Sequence, residues 1–226
     1  MSKDISKIVV AIDGPAGAGK STVSKALARD LQLSYLDTGA MYRALALKAS
    51  RENLRSDAGE EIGKLMENTE ITFGTGDPQP VFLDGEDVTS LIRTPEISEA
   101  ASAISAHTPV RKALVARLQK LVAIGGVILE GRDATTVIAP NADVKVFLTA
   151  SLEERAKRRT IEFDQKGQAS DFREVRQQIQ LRDHRDITRD DSPLTVAPDA
   201  HIVESGGVPV ELVVQKLKEL INNVVN

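Results

Sequence analysis

The sequence predicts an α/β fold in which helices cover both faces of a parallel sheet. Short apolar runs typical of buried strands alternate along the chain with longer segments whose apolar residues recur at helical spacing. This alternation is typical of strand–helix–strand units, and the strands of such units run parallel. With 226 residues, the chain is long enough for one domain with a substantial core.

The predicted strands of this sheet are residues 8–12, 35–37, 127–130, 144–148 and 201–204. Helices are predicted at 39–51, 110–123, 152–165, 172–189 and 210–222. The last helix has an apolar stripe that predicts packing on the sheet, formed by Val210, Val213, Val214, Leu217, Ile221 and Val224. One region breaks the alternation with three short strand-like runs, at 71–73, 81–83 and 86–88. Because Asp84-Gly85 is a strong hairpin signal, we predict a small antiparallel insert over about 70–90.

Composition excludes several classes of function. The net charge of −4 argues against non-specific binding of nucleic-acid polymers. There is no cysteine, so disulfides, a thiolate nucleophile and Cys-ligated zinc are excluded. No apolar run approaches the about 18 residues of a membrane helix, and no signal-peptide pattern is present. We therefore expect a cytoplasmic protein without a membrane partner. The three histidines (His107, His184 and His201) are far apart, and we expect them at the surface or at helix ends.

Residues 14–21 read Gly-Pro-Ala-Gly-Ala-Gly-Lys-Ser, which matches the P-loop pattern. The motif follows the strand 8–12 and precedes apolar residues at helical spacing. In this arrangement, backbone N–H groups and the helix dipole bind phosphate. Lys20 then contacts the β- and γ-phosphates, and the Ser21 hydroxyl binds Mg²⁺. The sequence thus predicts a nucleoside triphosphate, taken as ATP, bound by Gly14, Pro15, Ala16, Gly17, Ala18, Gly19, Lys20, Ser21 and Thr22.

Arginines concentrate in one part of the chain: eight of the sixteen lie between Ser151 and Asp190. Arg155, Arg158 and Arg159 share one helix face by their spacing. A solvated charged face would explain such a cluster, but it would not require arginine over lysine. Arginine is favoured where phosphate is bound in a bidentate manner. The polar segment 165–171, between two of the predicted helices, is predicted to be a mobile flap.

Two further groups follow predicted strands, at the sheet edge where α/β proteins place ligands. Residues 37–43 read Asp-Thr-Gly-Ala-Met-Tyr-Arg, and 130–133 read Glu-Gly-Arg-Asp. Together with the P-loop, these segments resemble the bacterial cytidylate kinase family of nucleoside-monophosphate kinases. The matching stretches are 12–22, 36–43, 131–133, 145–151, 153–159 and 182–186, and they follow in order over nearly the whole chain.

The resemblance implies a single kinase domain. Its core would be 1–37, 108–150 and 192–226, its acceptor-binding region 38–107, and its lid about 151–191. The chain departs from the family pattern at three places. Thr38 stands where relatives often have Ser, and Glu130 where they often have Asp. Ala134-Thr135 replaces a bulky residue followed by glycine.

The same resemblance implies transfer of the ATP γ-phosphoryl group to CMP or dCMP. It implies acceptor-phosphate binding by Arg43 and Arg132, contacts around the pyrimidine by Thr38, Arg111, Asp133 and Arg189, and contacts near the sugar by Ser102, Arg182 and Asp186. Tyr42 completes the expected CMP-binding set. The expected catalytic residues are Lys20, Arg132, Arg155 and Arg159, of which the last two bind the triphosphate from the lid.

Base chemistry also favours cytosine, because its amino group can donate to a carboxylate; the assignment of Asp133 as that carboxylate, rather than as a ligand of a metal or the sugar, rests on the resemblance. Uracil presents a carbonyl there, and an unpaired buried polar group costs about 1–3 kcal/mol, or a ten- to hundredfold preference for CMP. The alternatives are UMP, dTMP, AMP or shikimate as acceptor, and a P-loop switch or ATPase without a small acceptor. The Asn/Thr-Lys-x-Asp motif of guanine-nucleotide switches is absent. We expect a monomer.

Overall fold

The computed structural model describes residues 3–165 and 167–225, and it confirms the predicted α/β class. A five-stranded parallel sheet with flanking helices has the strand order β2-β6-β1-β7-β8, and a separate three-stranded sheet has the order β3-β4-β5. The strands are β1 (Val9–Asp13), β2 (Ser34–Asp37), β3 (Ile71–Phe73), β4 (Val81–Leu83), β5 (Glu86–Asp87), β6 (Val127–Gly131), β7 (Val144–Thr149) and β8 (His201–Glu204).

The α-helices are α1 (Lys20–Leu31), α2 (Thr38–Arg51), α3 (Gly59–Glu67), α4 (Pro95–Ile104), α5 (Thr108–Val122), α6 (Leu152–Gln165), α7 (Phe172–Thr188) and α8 (Val210–Val225). Short 3-10 turns occur at Ile5–Lys7 and Leu91–Arg93, and a π-helical turn spans Ala134–Ile138. The chain divides into two compact units, one formed by residues up to Tyr35 and from Ile124 onward, the other by Leu36–Ala123. No helix within the described residues is both long and apolar enough to cross a bilayer.

The core of the first unit is formed by the apolar strands and by two helices. Ile12, Ile128 and Val146 from neighbouring strands are fully buried together with Leu27 of α1 and Leu217 of α8. The predicted apolar stripe of α8 is confirmed in its centre, where Val213, Val214, Leu217 and Ile221 are buried. Its ends differ: Val210 and Val224 are 38% and 39% exposed, since they lie in the first and last turns of the helix.

The strand register decides where the functional segments meet. β1 pairs in parallel with β6 on one side and with β7 on the other, so that Asp13 lies opposite both Gly131 and Phe147. Parallel strands end at the same edge of a sheet. The P-loop and the segment after β6 therefore start from adjacent positions at the carboxyl edge.

Helices α6 and α7 belong to the first unit. Their apolar residues Ala156, Val175 and Ile179 form a small buried cluster with Ala16 of the P-loop. The segment 165–171, predicted to be a flap, connects the two helices and includes Lys166, which lies outside the described residues.

The second unit contains α2 to α5 and the predicted antiparallel insert. β3 and β4 have the predicted bounds, and β4 and β5 are joined by Asp84-Gly85, both at positive φ. α5 packs closely on α3, because a Cβ on Gly63 would lie only 3.0 Å from the backbone of Pro109. For this reason residues 108–122 group with the second unit, whereas the division based on the sequence placed them in the core. α3 and α4 were not predicted from the sequence.

Candidate active site

The P-loop leaves β1 in a conformation that requires glycine at its first position. Gly14 has φ 150°, and a Cβ there would lie 1.9 Å from the carbonyl oxygen of Leu148 in β7. At the other end, Gly19 is the N-cap of α1 and offers no side-chain acceptor to the first-turn N–H groups. Such N–H groups, with the helix dipole, suit a phosphate. Ser21 and Thr22 follow with exposed side chains, so the Ser21 hydroxyl is an accessible hard-oxygen ligand of the kind Mg²⁺ prefers.

Lys20 is buried inside this loop. Its side-chain ammonium donates hydrogen bonds to the carbonyl oxygens of Gly14 at 2.7 Å and Pro15 at 2.8 Å, and the residue is only 6% exposed. The loop therefore holds the poorly solvated amine of Lys20 among its own backbone carbonyl groups.

The surroundings of Lys20 change its acidity. Burial, together with the nearby guanidinium groups of Arg132 and Arg182, lowers the pKa of the ammonium to about 7, against the opposing effect of Glu130 and Asp13. Lys20 thus lies within the electrostatic field of two arginines that the sequence assigned to the acceptor side. A negative charge beside Lys20 would stabilise its charged ammonium form, so this environment favours binding of an anion.

Asp13, the last residue of β1, was not among the predicted site residues. Its buried carboxylate accepts hydrogen bonds from the N–H groups of Ala134 at 2.9 Å and Thr135 at 2.7 Å, and from the Thr135 hydroxyl at 2.6 Å. Burial raises the pKa of this carboxyl, although these three hydrogen bonds oppose the shift. Asp13 thereby ties the start of the P-loop to the segment after β6, and Thr135, one of the departures from the family pattern, supplies two of the donors.

Four predicted acceptor residues come together after β6 and at the carboxyl end of α7. Arg132 donates from Nε to Asp186 at 2.8 Å, and Arg189 lies 3.7 Å from Asp186 and 3.9 Å from Asp133. Arg189 is also fixed by the backbone carbonyl of Ser192, to which Nε donates at 2.8 Å. The group is an alternating set of acids and guanidinium groups.

The pKa of Asp186 shows whether burial or the neighbouring arginines have the larger effect in this group. Burial would raise it, but Arg132, Arg182 and Arg189 together lower it below its ordinary value. For Arg132, burial opposes the charged form, whereas the carboxylate of Asp186 raises the guanidinium pKa, with a net increase. Both groups therefore keep their charges in the folded protein.

Arg155, on α6, is buried against the P-loop rather than turned to solvent. It donates from Nη1 to the carbonyl oxygen of Ala16 at 2.8 Å and to Asp183 at 2.5 Å, and from Nε to the carbonyl oxygen of Ala150 at 3.0 Å. Asp183 in turn accepts the N–H of Ala16 at 3.0 Å. Asp183 was also absent from the predicted set, although its position three residues before Asp186 on the same helix face could have indicated it.

The other arginines of α6 are placed differently. Arg159 pairs with Glu162 at 2.9 Å and lies over the ring of Phe163 at 4.6 Å, so its contacts are with its own helix. Arg158 donates to the side chain of Ser205 at 3.2 Å. Of the two arginines expected to bind the triphosphate, the structure places Arg155 at the P-loop, and Arg159 on the surface of α6.

In the second unit, Asp37 and Arg43 are paired at the start of α2. Asp37 accepts the N–H of Ala40 at 2.9 Å as the helix cap, and Arg43 donates to it at 2.7 Å. Burial would raise the pKa of Asp37, but Arg43, the Ala40 N–H and Arg93 lower it overall. The Nε of Arg43 is buried with no acceptor in the described part of the chain, a donor that a phosphate oxygen could accept.

The remaining predicted residues of this unit lie in its interior. Arg111 is 2% exposed, donates to the carbonyl oxygen of Ser105 at 3.2 Å, and lies 5.6 Å from the centre of the Tyr42 ring. The Ser102 carbonyl accepts the Ser105 hydroxyl at 2.8 Å. Thr38 is the first residue of α2 and is buried. The structure thus brings Arg111 and Tyr42 together.

A P-loop on the central strand of a parallel sheet, with buried cations at its carboxyl edge, defines the class of P-loop nucleotide-binding proteins. The chain belongs to the cytidylate kinase family, whose sequence model, described as Cytidylate kinase, matches residues 10–223. It is 48% identical to a cytidylate kinase of Caldicellulosiruptor bescii over 220 residues, covering 97% of each chain. A cytidylate kinase of Desulfitobacterium hafniense is 46% identical, with 95% of this chain and 92% of the relative covered.

A solved structure of an uncharacterized protein from Eubacterium ventriosum is similar in fold. Its TM-score is 0.52 at 13% identity, with 96% of this chain and 99% of that chain covered. At this identity the likeness concerns the fold alone.

Proposed function

We propose that the protein is an ATP-dependent kinase that transfers the γ-phosphoryl group to CMP or dCMP, giving CDP or dCDP and ADP. The observation that carries the proposal is that the P-loop and Arg132 follow paired strands side by side, since Asp13 lies opposite Gly131, and that Arg132 pairs with Asp186 in the acceptor-side group. Membership of a family whose relatives are named cytidylate kinase supports the acceptor.

On the donor side, the P-loop N–H groups and Lys20 bind the β- and γ-phosphates of ATP. Lys20 would exchange its two carbonyl partners for phosphate oxygens. Ser21 would hold Mg²⁺, which neutralises charge on the β- and γ-oxygens when bound. The position of the Arg155 guanidinium at Ala16 of the loop supports a contact with the triphosphate.

In the first unit, Arg132 is assigned to the acceptor phosphate and Arg182 to the sugar. In the second unit, Arg43 is assigned to phosphate. Asp133, held beside Arg189, is assigned to the cytosine amino group, which a carboxylate can accept. Thr38, Tyr42, Ser102 and Arg111 are assigned to the rest of the nucleoside. Asp186 serves the sugar and orients Arg132 by the bond between them.

The chemistry needs no strong general base, because a nucleotide monophosphate is already ionised near neutral pH. Rate enhancement would come from in-line positioning and from cations that stabilise the charge of the transferring group. The cations are Lys20, Arg132 and Arg155, and Arg159 would join them only after giving up its contact with Glu162 on the same helix. The lid role of α6 and α7 is to exclude water, which would otherwise take the phosphoryl group.

The proposal is tested by measuring ADP release with CMP, dCMP, UMP, dTMP, AMP and shikimate as acceptors. CMP or dCMP is expected to give the highest kcat/KM, at least tenfold above UMP. Lys20→Ala is expected to abolish turnover with every acceptor. A clear preference for another acceptor refutes the CMP assignment. ATP hydrolysis that is equally fast without any acceptor refutes the kinase class in favour of a switch or an ATPase.

A further inference from the structure

We propose that Asp183 is a positioning residue, which fixes the guanidinium of Arg155 against the P-loop and so determines how fast the phosphoryl group is transferred. This inference rests on the proposed kinase function and adds to it a residue outside the set that the sequence predicted. It concerns one carboxylate on α7, one guanidinium on α6 and one backbone unit of the P-loop.

The geometry joins three segments that are distant in the sequence. One oxygen of Asp183 accepts the Ala16 N–H at 3.0 Å, and the other accepts Nη1 of Arg155 at 2.5 Å. The same Nη1 donates to the Ala16 carbonyl oxygen at 2.8 Å. Asp183 and Arg155 thus bind both polar groups of the same P-loop residue. A displacement of either side chain would move the other and the loop with it.

Arg155 has little freedom in this arrangement. Its Nε donates to the Ala150 carbonyl oxygen at 3.0 Å, so that Nε and Nη1 are both directed by fixed acceptors. Nη2 takes part in none of these bonds and is the part of the planar group left to contact a phosphoryl oxygen. Since a guanidinium presents its donors in a rigid fork, fixing two nitrogens also fixes the direction of the third.

Burial explains why a carboxylate is needed. Arg155 and Asp183 have side chains that are only 8% and 12% exposed, so neither charge is well solvated. Buried ion pairs add little net stability compared with apolar side chains of similar volume. A pair at this position is therefore better explained by the orientation it gives to Arg155 than by stability. Small displacements of a group that acts on the reacting phosphate have large effects on rate, about a hundredfold for 1 Å.

The experiment compares Asp183→Asn, Arg155→Gln and the double variant in steady-state kinetics with ATP and CMP. Glu174→Gln is the control, because it removes an acidic charge from an exposed position on the same helix. Asp183→Asn is expected to lower kcat by about ten- to a hundredfold, with the KM for CMP changed less than about threefold. In the Arg155→Gln background, Asp183→Asn is expected to lower kcat by less than about threefold, because the guanidinium that Asp183 orients is gone.

Asp183→Glu gives a second measurement that does not depend on Asp183→Asn being folded. It keeps the charge and moves it by one methylene, so a positioning role predicts a loss of at least tenfold in kcat, whereas a charge-only role predicts none. An unchanged kcat in either variant, or equal losses in the presence and absence of Arg155, overturns the inference. Wild-type turnover of CMP reports the proposed function separately, because its absence would refute that function whatever the variants do.

Discussion

Lys20 should take up a proton when ATP binds. In the free protein, burial lowers the pKa of its ammonium to about 7, so at pH 8 only about a tenth of the molecules carry the charge. Triphosphate oxygens beside the ammonium favour the charged form and raise this pKa. At pH 8 the expected uptake is therefore about 0.9 proton per ATP, and at pH 6 about 0.1, since the group is already charged there.

Calorimetric titration with ATP at pH 8, in buffers of different ionisation enthalpy, gives this number from the slope of the binding enthalpy. Acceptor is omitted, so that only binding is observed. Lys20→Arg is the matched control, because guanidinium stays protonated in both states and should show an uptake near zero. A wild-type slope near zero at pH 8, or the same slope in Lys20→Arg, would refute the reasoning from burial.

Four other predictions concern stability, measured by denaturant or thermal unfolding. Gly14→Ala should lower the free energy of unfolding by about 3 kcal/mol or more and abolish ATP binding, since its Cβ would overlap the Leu148 carbonyl. Gly85→Ala, which has open space around it, should lower it by only about 1–2 kcal/mol, because of its positive φ. Thr135→Val should lower the free energy of unfolding by about 1–2 kcal/mol, because it removes the hydroxyl donor to Asp13. An equal decrease in Thr188→Val, at an exposed position, would contradict this. Leu217→Ala should cost about 2–5 kcal/mol, and Leu212→Ala, at a 56% exposed position, less than about 0.5 kcal/mol. Because the pKa of Asp186 is lowered in the folded state, its stabilising contribution is present above about pH 4 and is lost as the pH falls through the folded pKa; Asp186→Asn should therefore differ from wild type near pH 7 and converge with it in acid.

Much of the fold could be predicted from local sequence patterns. β3, β4, β8 and α6 have their predicted bounds, because strongly apolar runs or helical spacing between clear turn signals define them. α3 and α4 were missed for physical reasons. α3 is nine residues long with glycines at 59 and 63, and its helical state is supported by packing on α5. α4 begins with a Thr94 cap and Pro95, and its small residues give little apolar periodicity.

The candidate site was predictable only in part. The P-loop could be predicted because its chemistry lies in eight consecutive residues. The hydrogen bond between Thr135 and Asp13 joins positions 122 residues apart, and the pair Arg155–Asp183 joins positions 28 apart, so no local pattern contains either. By contrast, the contacts of Arg159 with Glu162 and Phe163 lie at helical spacings of three and four, so they could have been predicted from the sequence.

The pairing of Asp37 with Arg43 has a consequence for substrate choice. On the proposed assignment, a phosphate dianion can accept from the buried Nε of Arg43 while Asp37 keeps its bond to Nη2, so the guanidinium is already oriented when the phosphate arrives. A nucleoside, which carries no phosphate, would leave this buried donor without an acceptor. The start of α2 would then favour phosphorylated pyrimidines over their unphosphorylated precursors.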